Sequence, residues 1–271
     1  MSNIRLIVSD LDGTLLSPDH LLTESVKDAV QRFVRSGGLF TIATGRFGLT
    51  VKSVVEELNI DIPYILCNGA VIADRHRVRE AALLTLAELA PLLEEADRRD
   101  VTVMLFDEDG VSALRRTPDV ERFEYKEKIG CRTIDPASDR WKNGSVQKVL
   151  LIGDMKKIRS IWNSHSAGFR HTYSTIQSED DYFEIIPANQ NKGEALKKLA
   201  RMLNVDRSEV MALGNQLNDL DMIRNAGIGV AVANSHDDLK KYATYVCARS
   251  YGDGVVEAMD KFCFRQEEKP T

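Results

Sequence analysis

Short apolar runs alternate with amphipathic segments at both ends of this chain, and the alternation breaks in the middle. Residues 4–9 form a β-branched apolar run that stops at polar residues, which predicts a buried strand. Residues 23–36 carry Val26, Ala29, Val30, Phe33 and Val34 at helical spacing, and Gly37-Gly38 ends the pattern. Residues 39–43 predict a second strand, 49–58 a second helix and 64–67 a third strand. The order returns toward the other end, with helices over 192–203, 219–225, 236–242 and 254–262 and strands over 210–213, 228–232 and 245–248. Strands and helices in this succession build an α/β, doubly wound, mainly parallel sheet of Rossmann-like kind, and short connections put both ends in one sheet.

The middle follows a different order. It predicts helices over 84–99, 119–129 and 156–163 and strands over 101–106, 111–114, 146–152, 169–175 and 182–186, the first two as a hairpin around Asp107-Glu108-Asp109-Gly110. Strands that follow strands indicate an α+β domain inserted into the α/β one. The expected division is 1–82 with 188–271 as the core and 83–187 as the insert.

At 271 residues, with 43% hydrophobic and 28% charged, the composition is that of a globular protein with ample length for a core. A formal charge of −5 argues against a nucleic-acid partner, and the lack of any apolar run of 18 residues argues against a membrane one. The opening apolar run is short and interrupted by Asp10 and Asp12, so no secretory signal is expected. Cys67, Cys131, Cys247 and Cys263 show no metal-ligand spacing and read as reduced thiols, which suits the cytoplasm.

Polar clusters stand at the exits of the predicted strands, where open parallel sheets bind ligands. In Asp10-Leu11-Asp12-Gly13-Thr14, carboxylates two apart at a strand exit can converge on one site. One can attack phosphorus while the other protonates the leaving oxygen and later activates water. The alternative is a polar turn with Gly13 at its bend. Thr44-Gly45-Arg46 offers a hydroxyl, backbone N–H groups and a guanidinium for phosphate oxygens, or simply a helix cap. Asn68-Gly69-Ala70 follows the third strand and alone could be any turn. Lys192, in Asn191-Lys192-Gly193, is unfavourably placed at a helix start unless an anion is near, or else is simply exposed, which in isolation is the better reading. The run Gly214 to Asp219, with Asn215, Asn218 and Asp219, gathers oxygen donors of the kind magnesium prefers, or else caps a turn.

Together these clusters closely resemble the four motifs of the haloacid dehalogenase (HAD) superfamily, in particular its Cof-like phosphatases with a large α+β cap (type C2, IIB). The likeness runs over nearly the whole chain, with the cap inserted between the second and third motifs. It implies a magnesium-dependent phosphatase acting on a small phosphorylated metabolite (a sugar phosphate, nucleotide or cofactor-precursor phosphate), as a monomer or homodimer. It implies that Asp10 is the nucleophile and carries an aspartyl-phosphate, and that Asp12 is the acid and base, its main-chain carbonyl binding Mg2+. Thr44 and Lys192 would hold the phosphoryl group, with Leu11, Gly13, Gly45, Arg46, Asn68, Gly69, Asn191 and Asn218 lining the phosphate site. The metal would rest on Asp10, Asp12, Asn215 and Asp219.

Asn215 stands where that family usually has a metal-ligating aspartate, which predicts weaker magnesium affinity with Asp219 compensating. Asn191 replaces the usual small residue before the lysine and could add a phosphate or metal contact. The alternatives are a phosphomutase-type transferase and a weakly active or inactive binding homologue. Cap residues expected to select substrate are Asp107, Glu108, Arg115, Arg116, Lys142, Glu184 and residues 189–191. The aromatic residues Trp141, Trp162, Tyr173, Tyr182 and Phe183 read as core.

Overall fold

The computed structural model describes residues 4–135 and 138–264. It divides into two compact units, one of Met1–Thr44, Lys52–Glu80 and Asn191–Thr271, the other of Gly45–Val51 and Ala81–Gln190.

The first unit is built on a five-stranded parallel sheet. Its order is Tyr245–Val246, Ile228–Ala231, Val210–Gly214, Leu6–Ser9 and Leu39–Ile42. Leu6–Ser9 is buried along its whole length, as expected of a strand covered on both faces. Leu6 and Val8 join one core cluster with Ala195, Leu196 and Leu199 of the helix Lys192–Met202. The helix Glu24–Arg35 starts at Thr23, whose side chain accepts from the Val26 N–H, and buries Val26, Ala29, Val30 and Phe33. Burying Val30 or Phe33 contributes roughly 1.5–3 kcal/mol each. The helix stops where Gly37 turns left-handed (φ 91°) and the Gly38 N–H reaches back to Phe33 O at 3.1 Å.

The fold class is the one the alternation implies, with local differences. The third strand, Tyr64–Leu66, pairs antiparallel with Val71–Ala73, a strand too short to signal itself after the Asn68-Gly69 turn. The last helix, Tyr251–Phe262, begins three residues ahead of its expected start. There Gly252 and Gly254 pack so closely that added Cβ atoms would stand 2.5 Å from Val26 and 2.4 Å from Arg249 O.

The second unit holds a six-stranded sheet ordered Tyr173–Glu179, Tyr182–Pro187, Lys148–Ile152, Thr102–Asp107, Gly110–Ala113 and Cys131–Thr133. All its pairs are antiparallel except the last. The helices Leu86–Arg98 and Met155–Ser166 bury Leu89, Leu92, Leu93, Ile158 and Ile161 in one core with Val103, Leu105, Val149, Leu151, Phe183 and Ile185. Trp141, Trp162 and Tyr173 pack against that core, and Tyr182 and Phe183 are buried, as expected of them. The strand expected over 169–175 runs instead over Tyr173–Glu179, because Glu88 draws the backbone N–H groups of Arg170 and His171 into a loop. On the opposite sheet face Phe106 meets Phe47 and Phe123 edge to face, with centroids 5.2 and 5.7 Å away. No helix among the described residues is long and apolar enough to cross a membrane.

Candidate active site

The polar clusters of the first unit stand at the carboxyl ends of adjacent parallel strands. Ser9 lies beside Leu213 and Ile42 in the sheet register, so Asp10 leaves the sheet next to Gly214 and Ala43. The Asp10 N–H still donates to Leu213 O, at 2.9 Å. Beyond it Leu11–Leu15 forms a widened turn closed from Leu16 N to Leu11 O. Gly13 takes φ 81° there, and a Cβ on it would lie 2.2 Å from the Asn215 amide nitrogen. Only glycine permits that approach.

Lys192 joins the clusters. It is 1% exposed, and its ammonium donates to Asp10 Oδ1 and to Asp219 Oδ1, both at 2.6 Å. Two carboxylates thus face one ammonium in a buried site. Burial first, and then the Asp219 charge, push the Asp10 carboxyl up to about 7 although Lys192 pulls it down. Burial works against the Lys192 charge, but Asp10 and Asp219 outweigh it and hold the ammonium above the usual lysine range.

Asp219 is fully enclosed and engaged at both oxygens. Oδ1 takes Lys192, while Oδ2 accepts the N–H groups of Asn215 and Gln216 at 2.8 and 3.0 Å. Gly214 is needed beneath it, since a Cβ there would lie 2.5–2.6 Å from the Asp219 side chain. Asn215 is buried, and its Oδ1 accepts from Thr14 Oγ1 at 3.1 Å.

The remaining expected residues divide clearly. Thr44 is buried; its N–H donates to Ile65 O and its carbonyl accepts from the Asn68 N–H, each at 3.0 Å. Asn68 accepts from Asn218 Nδ2 at 2.9 Å, tying two strand exits together. Gly69 serves close packing, because its Cβ would stand 2.2 Å from Asn191 O. Asn191 caps its helix by accepting from Glu194 N at 2.8 Å. The Leu11 side chain is core. Asp12 reaches His20, with Oδ1 3.0 Å from Nδ1. Gly45 and Arg46 belong to the second unit, where Gly45 O accepts from Lys148 Nζ at 3.0 Å and Arg46 donates to Thr50 O at 3.3 Å.

Several residues expected to select substrate are engaged in ion pairs within the second unit: Arg115 with Asp97 and Asp100, Arg116 with Glu124, Lys142 with Glu94 and Asp139, and Glu184 with Lys148. The sequence reading passes over His20, Asn234 and Ser235. Asn234 donates to Gly13 O at 2.8 Å and accepts from the Tyr251 N–H at 2.9 Å, while Ser235 Oγ donates to Gly214 O at 3.1 Å. Their one signal is position, in a polar stretch after the strand Ile228–Ala231.

Among the described residues no group of three or more His, Cys, Asp or Glu side chains gathers as a metal cage. Asp10 and Asn215, both buried at these strand exits, carry oxygen donors of the kind a hard divalent cation takes. The excess of buried carboxylate over ammonium fits added positive charge as well.

A sequence model of haloacid dehalogenase-like hydrolases matches residues 7–259. Over 284 residues the chain is 26% identical to the 5-amino-6-(5-phospho-D-ribitylamino)uracil phosphatase YwtE of Bacillus subtilis (strain 168), covering 95% of this chain and 98% of that protein. Over 276 residues it is 25% identical to the pyridoxal phosphate phosphatase YbhA of Escherichia coli (strain K12), covering 96% and 97%. The crystal structure of a haloacid dehalogenase-like hydrolase from Bacteroides thetaiotaomicron superposes with a TM-score of 0.86 at 25% identity, covering 95% of this chain and 99% of that one.

Proposed function

The chain belongs to the haloacid dehalogenase-like hydrolases, and from that premise we propose that it is a magnesium-dependent phosphatase that hydrolyses a small phosphate ester through an aspartyl-phosphate on Asp10. The observation that carries this reading is the buried Lys192 held at 2.6 Å from both Asp10 and Asp219.

Asp10 Oδ attacks phosphorus as the ester P–O bond breaks, and Asp12 gives its proton to the departing oxygen. Asp12, now a carboxylate, takes a proton from water as that water attacks the aspartyl-phosphate. Inorganic phosphate leaves and the Asp10 carboxylate is restored. Lys192 fixes the attacking carboxylate and places an ammonium where negative charge spreads over the phosphoryl oxygens; Thr44 holds those oxygens from the neighbouring strand exit. Asp219 acts indirectly, by anchoring Lys192 and the backbone of Asn215. Asp10, the Asp12 carbonyl and Asn215 would hold magnesium, which adds positive charge against the phosphoryl oxygens. Asn215 brings no charge to that set, so the affinity is modest.

YwtE and YbhA are named for different small phosphorylated metabolites, which supports a soluble ester of that size as substrate. Residues 83–187 would select it, and a cytoplasmic setting suits such a metabolite. The test is phosphate release from an aryl phosphate and a panel of sugar, nucleotide and cofactor-precursor phosphates across a magnesium titration. Release that requires metal and disappears in Asp10→Asn supports the reading. No release at any magnesium concentration points instead to a transferase or a binding protein.

A further inference from the structure

We infer that His20 is a positioning residue that holds Asp12 in place for proton transfer to the leaving oxygen. The inference rests on the acid-base role proposed above for Asp12.

Geometry and backbone both support it. His20 Nδ1 lies 3.0 Å from Asp12 Oδ1. A carboxylate can only accept, so the ring N–H is the donor whenever Asp12 is ionised. The Asp12 side chain is 40% exposed, so packing alone constrains its rotamer weakly. A directional hydrogen bond from a fixed donor adds a constraint of its own.

The donor is fixed by an unusual loop. Ser17 N–H donates to Leu21 O at 2.9 Å, His20 N–H to Ser17 O at 2.9 Å, and Leu21 N–H to Ser17 Oγ at 3.2 Å. This closed turn sets His20 at φ 59°, in the left-handed region that among side chains Asn, Asp and His enter most readily. The turn fixes the backbone from which the imidazole reaches Asp12.

The conformation also supplies the test. Glycine suits the left-handed region and removes the donor. Asparagine suits it too, and its Nδ2 sits on Cγ as the histidine Nδ1 does, so it can donate from nearly the same position. Initial rates would be measured for His20→Gly, His20→Asn and Asp12→Asn with an alkyl phosphate and with an aryl phosphate. The aryl ester has a leaving group that needs little protonation, whereas the alkyl ester needs a placed acid. His20→Gly is expected to lose about tenfold in kcat on the alkyl ester, a fraction of the full effect of a general acid, and about twofold on the aryl ester. His20→Asn stays within about twofold of wild type on both. Melting curves for each variant report any folding defect separately.

Equal losses on the two esters in His20→Gly, or a His20→Asn variant as impaired as His20→Gly, overturn the inference. Asp12→Asn separates the two levels. If it shows the alkyl-selective loss and His20→Gly does not, only the role of His20 fails. If Asp12→Asn itself loses both esters equally, the acid assignment beneath it fails.

Discussion

Lys192 in the first unit and Lys148 in the second are both buried and both held by carboxylate, yet the contacts around them differ. Lys192 meets Asp10 and Asp219 at 2.6 Å each. Lys148 meets Glu184 at 3.2 Å, the Gly45 carbonyl at 3.0 Å and the Phe106 ring at 4.8 Å. An ion pair with a carbonyl and an aromatic face is a way to satisfy a buried lysine. Two carboxylates around one ammonium leave excess negative charge, which folding alone gives no reason to bury. That excess makes sense where a cation and a transferring phosphoryl group arrive. Burial of charge therefore does not identify a working site; its imbalance does.

The comparison breaks if Asp10 is not special. Asp10→Asn should abolish phosphate release while circular dichroism shows intact folding, and measurable turnover in the variant would end the contrast. Removing either lysine comes next. Lys148→Met leaves Glu184 buried without its ammonium and should lower stability by about 3–5 kcal/mol in denaturant unfolding, most of it recovered in Lys148→Met with Glu184→Met. Lys192→Met should lose turnover, and adding Asp219→Asn should not return it, whatever happens to stability. Recovery of turnover in that double variant would reduce Lys192 to the structural status of Lys148.

A smaller effect sharpens the charge argument. Asn215→Asp should lower the magnesium concentration giving half-maximal release by about an order of magnitude, since ligand charge tunes divalent affinity. Titration of release against magnesium reads this directly, and an unchanged midpoint would remove Asn215 from the metal set. The smallest effect lies in the second unit. Glu88 accepts from the Tyr173 hydroxyl, from the Arg170 and His171 backbone and from the His171 ring, which holds its carboxyl at about 2 against an ordinary 4.5. A depressed carboxyl stabilises the folded state above its unfolded value and loses that contribution as pH falls through the folded one. The melting temperature of wild type should exceed that of Glu88→Gln at pH 6, and the gap should narrow between about pH 4.5 and 2. A gap constant with pH would contradict the assignment.

Much of this was legible in the sequence because it is local. Periodicity marks the helix Lys192–Met202 and the strand Val210–Gly214 within a residue, and the motifs place Asp10, Lys192 and Asp219 at strand exits. What escaped depends largely on contacts between distant segments. The Lys192 ammonium and Asp219 meet from 27 positions apart. Asn234 sits 221 positions from the glycine carbonyl it holds, a distance no motif spans. His20 escaped for a different reason: a lone histidine in a loop carries no signal, and only the fold shows its Nδ1 3.0 Å from Asp12 Oδ1.

The central claim is that Asp10 carries the phosphoryl group, and trapping that intermediate tests it most directly. Protein mixed with magnesium and a turned-over ester would be quenched in acid within one turnover, reduced with borohydride and digested for mass spectrometry. Borohydride converts an acyl phosphate to an alcohol, so the account predicts homoserine at position 10 only when ester and metal are both present. Modification at another carboxylate, or continued turnover with none at Asp10, would contradict it.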